Sequence, residues 1–343
     1  MHKHASAISD DPSNITVSGL SAGAQSAHAQ VLHEFILQKA VTFYRPIIKR
    51  CLLRSGTALL PCNDFREVKE QLDELCHDVG VQMVNGLDVI ESLRRATSIQ
   101  LIDAIGHMKR DSFRAINDGG PHEGGFVSDE WRQDMKSGAF SKWCKQHNIS
   151  FVIGEVADED RLYRLINPPK EFPTFKDGPL SELSNYCTAD VVQKLLTLHK
   201  LPPDSANAEA WADIFGDVTS DAQVFSAVLL LLRYLVYAKQ AMMLGPEDVF
   251  RFRLECCAGY FDLLMPPEMG VYHGTCDAIF KYLKDAIDAA LVATEAAADL
   301  AAFRRWLQPV RSWIAGDCTK AAQEWYDGQK IEGGYVRTIR EMA

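Results

Sequence analysis

The chain of 343 residues is 47% apolar and 24% charged, enough apolar material for a sizeable core. Its net charge of −10, from 36 basic and 46 acidic residues, argues against nucleic acid as a partner, which needs a clustered basic face. The short basic stretch Lys109–Arg114 is interrupted by Asp111 and reads as a solvated helix face.

The opening residues, "MHKHASAISDDPSN", contain no apolar core of signal-peptide length. As written, the chain therefore reads as cytoplasmic; a signal carried by a missing N-terminus would make it secreted. In "NITVSG", Ile15 and Val17 alternate with Thr16 and Ser18, which predicts a strand, and "GAQSAHAQVLHEFI" then predicts a helix. Ile47–Gly56 is a short apolar run ended by glycine and predicts a second strand. Helical stretches follow at 64–80 and 86–108. "ISFVIGEV", 149–156, is a β-branched strand, and "VFRFRLEC", 249–256, alternates as another. The proline-rich segments 167–179 and 199–206 are loops. The long apolar run Val224–Leu244 is broken by Arg233 and Lys239, and its uncharged part is too short to span a bilayer, so it predicts a buried helix and no transmembrane segment. The alanine-rich stretch 285–307 favours helix. Strands separated by helices imply an α/β fold with a parallel sheet. Nine irregularly spaced cysteines without a CxxC pair give no zinc or thioredoxin-type site, and they read as mostly free, buried thiols with room for one disulfide. Oligomeric state is not legible here.

Gly19-Leu20-Ser21-Ala22-Gly23 fits the G-x-S-x-G turn between a strand and a helix, which exposes a nucleophilic serine. Side chains two positions before and after the serine are expected to collide in such a turn, hence glycine at both. The turn aims the first helix N–H groups at the space where an oxyanion would form. The motif alone fits a tight structural turn equally well. Its context adds an acid cluster, Asp158, Glu159 and Asp160, just past a strand, and His273 in a glycine-flanked loop before a helical run. Taken alone, the acids read as a helix N-cap and first turn, and the histidine as a surface residue. Together they give the order serine, acid, histidine that an α/β-hydrolase uses.

Four segments resemble the type B carboxylesterases, the cholinesterase-like branch of the α/β-hydrolases, and most of all their fungal members. "DDPSNITVSGLSAGAQSAHA" is similar to that family's D-P-x-N-V-T-x-x-G-E-S-A-G elbow, "IIKRCLLRSGTAL" to its R-A-I-x-Q-S-G segment, "IGEVADED" to its acid segment, and "MGVYHGTCDAIF" to its histidine segment. The resemblance runs co-linearly from about Asp10 to the C-terminus. It implies Ser21 as nucleophile, Glu159 as triad acid, His273 as general base and the Ala22 backbone N–H as an oxyanion donor. Ser55 is implied as a support behind the triad, or is an ordinary strand-end serine. Ester hydrolysis through an acyl-enzyme follows, on a small-molecule or lipid-like ester, with no metal and no organic cofactor.

Departures from the family pattern are specific. Leu20 stands where the family often has Glu, which predicts a neutral, apolar acyl or alcohol group; Asp160 replaces a glycine, and Cys276 an acid. "HEGG", 122–125, follows no strand and reads as a loop coincidence. The family's first strands and its glycine-rich H-G-G-G-type loop have no counterpart before Asn14. Residues 1–343 are thus expected to form one N-terminally incomplete α/β-hydrolase domain, from the nucleophile strand onward, with helical insertions. Loss of that loop predicts weak catalysis, and the alternative is a catalytically silent interaction protein or remnant of the same family.

Overall fold

The computed structural model describes residues 11–339 apart from 42–43, 61–64, 83–85, 110–111, 121–124, 129, 167–175, 185, 239–240, 256–265, 276–295 and 327–335. Its centre is a five-stranded, all-parallel sheet in the order β1 (Ile15–Leu20), β2 (Ile48–Arg54), β3 (Ser150–Val156), β4 (Val249–Leu254) and β5 (Val336–Ile339). Strand order follows chain order, so each crossover advances the sheet by one strand. Helices lie on both faces, as parallel pairing requires. The four strands read from the sequence are present; β5 is an addition.

Side-chain alternation sends the strands' two faces into two cores. Cys51 and Leu53 of β2, with Phe151 and Ile153 of β3, meet Val31, Leu32, Phe35 and Ile36 of α1 (Ala22–Ala40). Leu52, Val152, Phe250 and Phe252 face the other way, onto Trp306, Val310 and Trp313 of the helix Ala296–Ile314 and Trp325 of Cys318–Tyr326. The Trp313 indole N–H donates to Ser150 Oγ at 2.7 Å, so the one polar atom of that ring is satisfied inside the core. All seven residues of β3 are buried. β1 is different: among the described residues it pairs on one side only, and most of it is half-buried or exposed.

Two helical readings need correction. The stretch 86–108 is two helices, Gly86–Arg95 and Ser98–His107, because Thr97 starts the second with a reciprocal cap: its hydroxyl accepts from Gln100 N while Gln100 Oε1 accepts from Thr97 N. The helix read at 224–244 starts earlier and ends earlier. Ala208–Ser220, a π-turn at Asp221–Phe225 and Ser226–Val236 run on continuously. Before the π-turn Phe215 and Val218 pack in a satellite cluster with Tyr163 and Leu196; after it Val228, Leu231 and Leu235 pack in the main core. This 29-residue stretch is long and apolar enough to cross a membrane, and half of its most apolar window is buried inside the protein. The tail of the 167–179 loop begins a helix at Asp177. Cys51, Cys76, Cys144, Cys187 and Cys318 are free thiols, whereas Cys62, Cys256, Cys257 and Cys276 lie outside the described residues.

Candidate active site

Ser21 sits between β1 and α1 with φ 56° and ψ −122°, a conformation costing on the order of 1–3 kcal/mol for a non-glycine residue. Neighbouring contacts hold it there. Ser21 N donates to Arg54 O at 2.9 Å, and Ser21 O accepts from Ala24 N at 2.9 Å and Gln25 N at 3.1 Å. The glycine expectation holds on one side only. A Cβ on Gly19 would lie 2.0 Å from the Gly23 backbone, whereas one on Gly23 would meet nothing within 4 Å. The second obligatory glycine is instead Gly56, whose Cβ would lie 2.7 Å from Ser21 O. "RSG" at the end of β2 therefore lets the chain pass against the back of the nucleophile turn.

Ala22 is the first residue of α1, and the first N–H groups of a helix have no intrahelical acceptor. Ser21 and Ala22 both line a cavity of about 640 Å³, within the range of small-molecule sites. Gln25, Ala29 and Gln30 of α1 line it, together with the aromatic side chains of Phe126, Trp131, Tyr163 and Tyr186.

The three acids after β3 have separate duties. Glu159 is fully buried; its Oε1 accepts from Val156 N at 3.0 Å, and its Oε2 lies 2.6 Å from His273 Nδ1. Asp158 clamps the histidine loop: Oδ2 accepts from Val271 N at 2.8 Å, and Asp158 N donates to Val271 O at 3.1 Å. Asp160 faces a different, polar cavity beside Arg251 and Arg253. His273 is buried rather than a surface histidine, and its Nε2 has no hydrogen-bond partner. The structure thus joins Glu159 to His273 but leaves the Ser21–His273 hydrogen bond unmade. Ser55 follows β2 with φ 51°; its buried hydroxyl makes no hydrogen bond, so none links it to Ser21, Glu159 or His273. Of "HEGG", residues 122–124 lie outside the described residues, and Gly125 belongs to a loop gathered around the Asp118 carboxylate, which accepts from Phe126 N and Val127 N.

Several residues escaped the sequence reading. His28, on α1, is fully buried, and its Nδ1 accepts from Ala58 N at 3.2 Å, tying the helix after Ser21 to the loop after Gly56. Burial pushes its pKa down to about 3, so the ring is neutral. Glu155, also fully buried, accepts from Arg251 Nη2 at 2.5 Å; desolvation raises its pKa against the pull of that guanidinium. Tyr163 is buried; desolvation, then the neighbouring Glu159 carboxylate, raise its pKa. Arg114 is no solvated helix face: it lies outside any helix, half-buried in the cavity wall. Only the Gly56 signal, a glycine closing an apolar run, was available in the sequence.

A strained serine between strand and helix, on a parallel sheet whose third strand leads to a buried acid–histidine pair, defines an α/β-hydrolase arrangement. The model of the carboxylesterase family matches residues 1–287, and the chain belongs to that family. It is 28% identical to an uncharacterised esterase/lipase of Schizosaccharomyces pombe over 319 residues, covering 92% of this chain and 55% of the relative. It is 27% identical to a carboxylic ester hydrolase of Gibberella moniliformis over 282 residues, covering 80% of this chain and 48% of the relative. The chain therefore spans about half the length of these curated relatives.

Proposed function

We propose that the protein hydrolyses carboxylic esters of small molecules by two-step acyl transfer through Ser21. The observation that carries this reading is the buried Glu159–His273 pair at 2.6 Å, whose histidine keeps Nε2 without a partner, on the sheet that also presents Ser21 in a strained turn. His273 Nε2 takes the Ser21 Oγ proton as Oγ attacks the ester carbonyl carbon. The carbonyl oxygen becomes an oxyanion beside the Ala22 N–H. The alcohol leaves with the proton from His273. Water then attacks the acyl-enzyme by the same route and releases the acid. Glu159 holds the imidazole by Nδ1 and stabilises its charged form. The Ser21–His273 bond closes on substrate binding, as catalytic hydrogen bonds in unliganded sites often do. The apolar part of the cavity wall suits a neutral acyl or alcohol group; Leu20, expected to do so, packs against the other core instead.

A fluorophosphonate probe tests the proposal. Labelling of the folded chain, abolished by Ser21→Ala and sharply slowed by His273→Ala, is expected. Folded protein that resists labelling and hydrolyses no ester would instead support a silent, interaction-type member of the family.

A further inference from the structure

α1 gives the cavity beside Ser21 a direction. Ser21 precedes the helix, and Ala22, Gln25, Ser26, Ala29 and Gln30 all line the cavity. Residues at this spacing share one stripe of a helix surface, and His33 is the next position along it. At 1.5 Å per residue, His33 stands about 18 Å beyond Ser21 along the helix axis. The cavity therefore follows α1 away from the nucleophile.

Phe126 stands over the far end. Its ring lines the cavity and stacks on the His33 imidazole, with centroids 4.2 Å apart and planes within 8° of parallel. Its carbonyl oxygen lies 3.2 Å from His33 Nδ1 and can only accept, so that nitrogen donates. Before and after this ring, the Asp118 carboxylate accepts from Phe126 N at 2.8 Å and from Val127 N at 2.7 Å. The ring is thus pinned through its backbone and one of its faces, yet Phe126 remains 41% exposed. Phe113, 56% exposed, is a second uncovered ring on the same cavity.

We propose that Phe126 is a specificity-determining residue that anchors the far end of an extended apolar chain whose ester group lies at Ser21. The proposal rests on the ester-hydrolase reading above and names its substrate class: esters with a chain long enough to run the length of the α1 stripe. Ala29, Leu60 and Val127 supply apolar surface along the cavity. Exposure decides between a stop and an anchor. A ring that closed the cavity would be buried, whereas one that still faces water gains from being covered. Its fixed position means that little further freedom is lost when a chain settles on it. A short ester reaches Ser21 without touching Phe126.

Two ethers, which have no ester to cleave, test this by calorimetry on the full chain: the butyl and dodecyl ethers of tetraethylene glycol, both held below micelle formation. The dodecyl ether is expected to bind more tightly. Phe126→Ala should weaken it about fivefold, as covering part of one aromatic ring allows, and leave the butyl ether within about twofold. His33→Ala, which keeps the ring and removes its support, should lose part of that increment. A dodecyl affinity that Phe126→Ala leaves unchanged or raises, or an equal loss for both ethers, overturns the proposal. Should that variant not fold, Phe126→Trp decides: the dodecyl ether should shift the added tryptophan's emission to the blue and the butyl ether should not, and no shift with either refutes the anchor. An unlabelled Ser21 alongside a Phe126-dependent dodecyl preference sinks the hydrolase and leaves the chain site standing. Rapid labelling without that preference does the reverse.

Discussion

β1 and β3 carry the two halves of the proposed chemistry and are built in opposite ways. β3 lies in the middle of the sheet with every residue buried, and it delivers Glu159 into a fully enclosed bond with His273. β1, paired on one side among the described residues, delivers Ser21 in a strained turn. The proposed acid–base half is buried and held by the Val156 N bond to Glu159 and by the Asp158 clamp on the histidine loop. The nucleophile half is fixed by a few backbone contacts: Arg54 O, the close pass of Gly56, and the His28–Ala58 bond. The contrast teaches that Ser21 is positioned at the sheet's edge by a few close backbone passes, whereas His273 is positioned by bonds enclosed within the protein.

Substitutions can break this division or sharpen it. The largest effect is expected from Glu159→Gln, which keeps the shape and removes the charge: ester hydrolysis should fall on the order of 10⁴-fold with little change in unfolding midpoint. Near-normal hydrolysis in that variant would show that His273 is oriented by something else. Next, Phe151→Ala in β3 should cost about 3–5 kcal/mol in denaturant unfolding and Val17→Ala in β1 about 1 kcal/mol. Equal costs would mean that the edge strand shares fully in the core. Gly56→Ala places a methyl group against Ser21 O, and a displaced nucleophile should slow fluorophosphonate labelling roughly 10²-fold. Unchanged labelling would remove Gly56 from the account.

The smallest effect concerns pH. Burial holds the folded-state pKa of His28 at about 3, against an ordinary 6.5. Above pH 6.5 neither folded nor unfolded chain binds this proton, and stability owes nothing to it. As pH falls from 6.5 towards 3 the unfolded chain binds the proton and the folded chain does not, so stability drops by at most about 1.4 kcal/mol per pH unit. His28→Asn keeps an acceptor for Ala58 N without the titration. Urea unfolding at pH 7 and pH 5 should show a shallower loss in the variant; identical losses would mean that His28 is not the group responsible.

Periodicity revealed β1, α1, β2, β3 and β4 because each strand pattern reports which faces are buried. It missed β5, a four-residue strand whose place depends on pairing with β4 rather than on its own pattern. Ser21, Glu159 and His273 stood out because each lies in a short motif at a predicted element end. Gly56 was marked only as the glycine closing an apolar run, and His28 and Arg114 were not marked at all, since their roles arise only when distant segments meet. A buried neutral histidine on a helix and a cavity arginine in a loop carry no local mark. The lesson of Arg114 is sharper still, because a short basic run reads as surface until the wall that surrounds it is assembled.

The π-turn at Asp221–Phe225 has its own consequence. Removing one residue there would turn it into ordinary α-helix and rotate everything beyond it by about 100°. Val228, Leu231 and Leu235 would leave the main core while Phe215 and Val218 stayed in the satellite cluster, and Gln223 would quit the cavity wall. Single-residue deletions across this segment should therefore be far less tolerated than point substitutions at the same positions. In this stretch the chain's length, more than its chemistry, is under constraint.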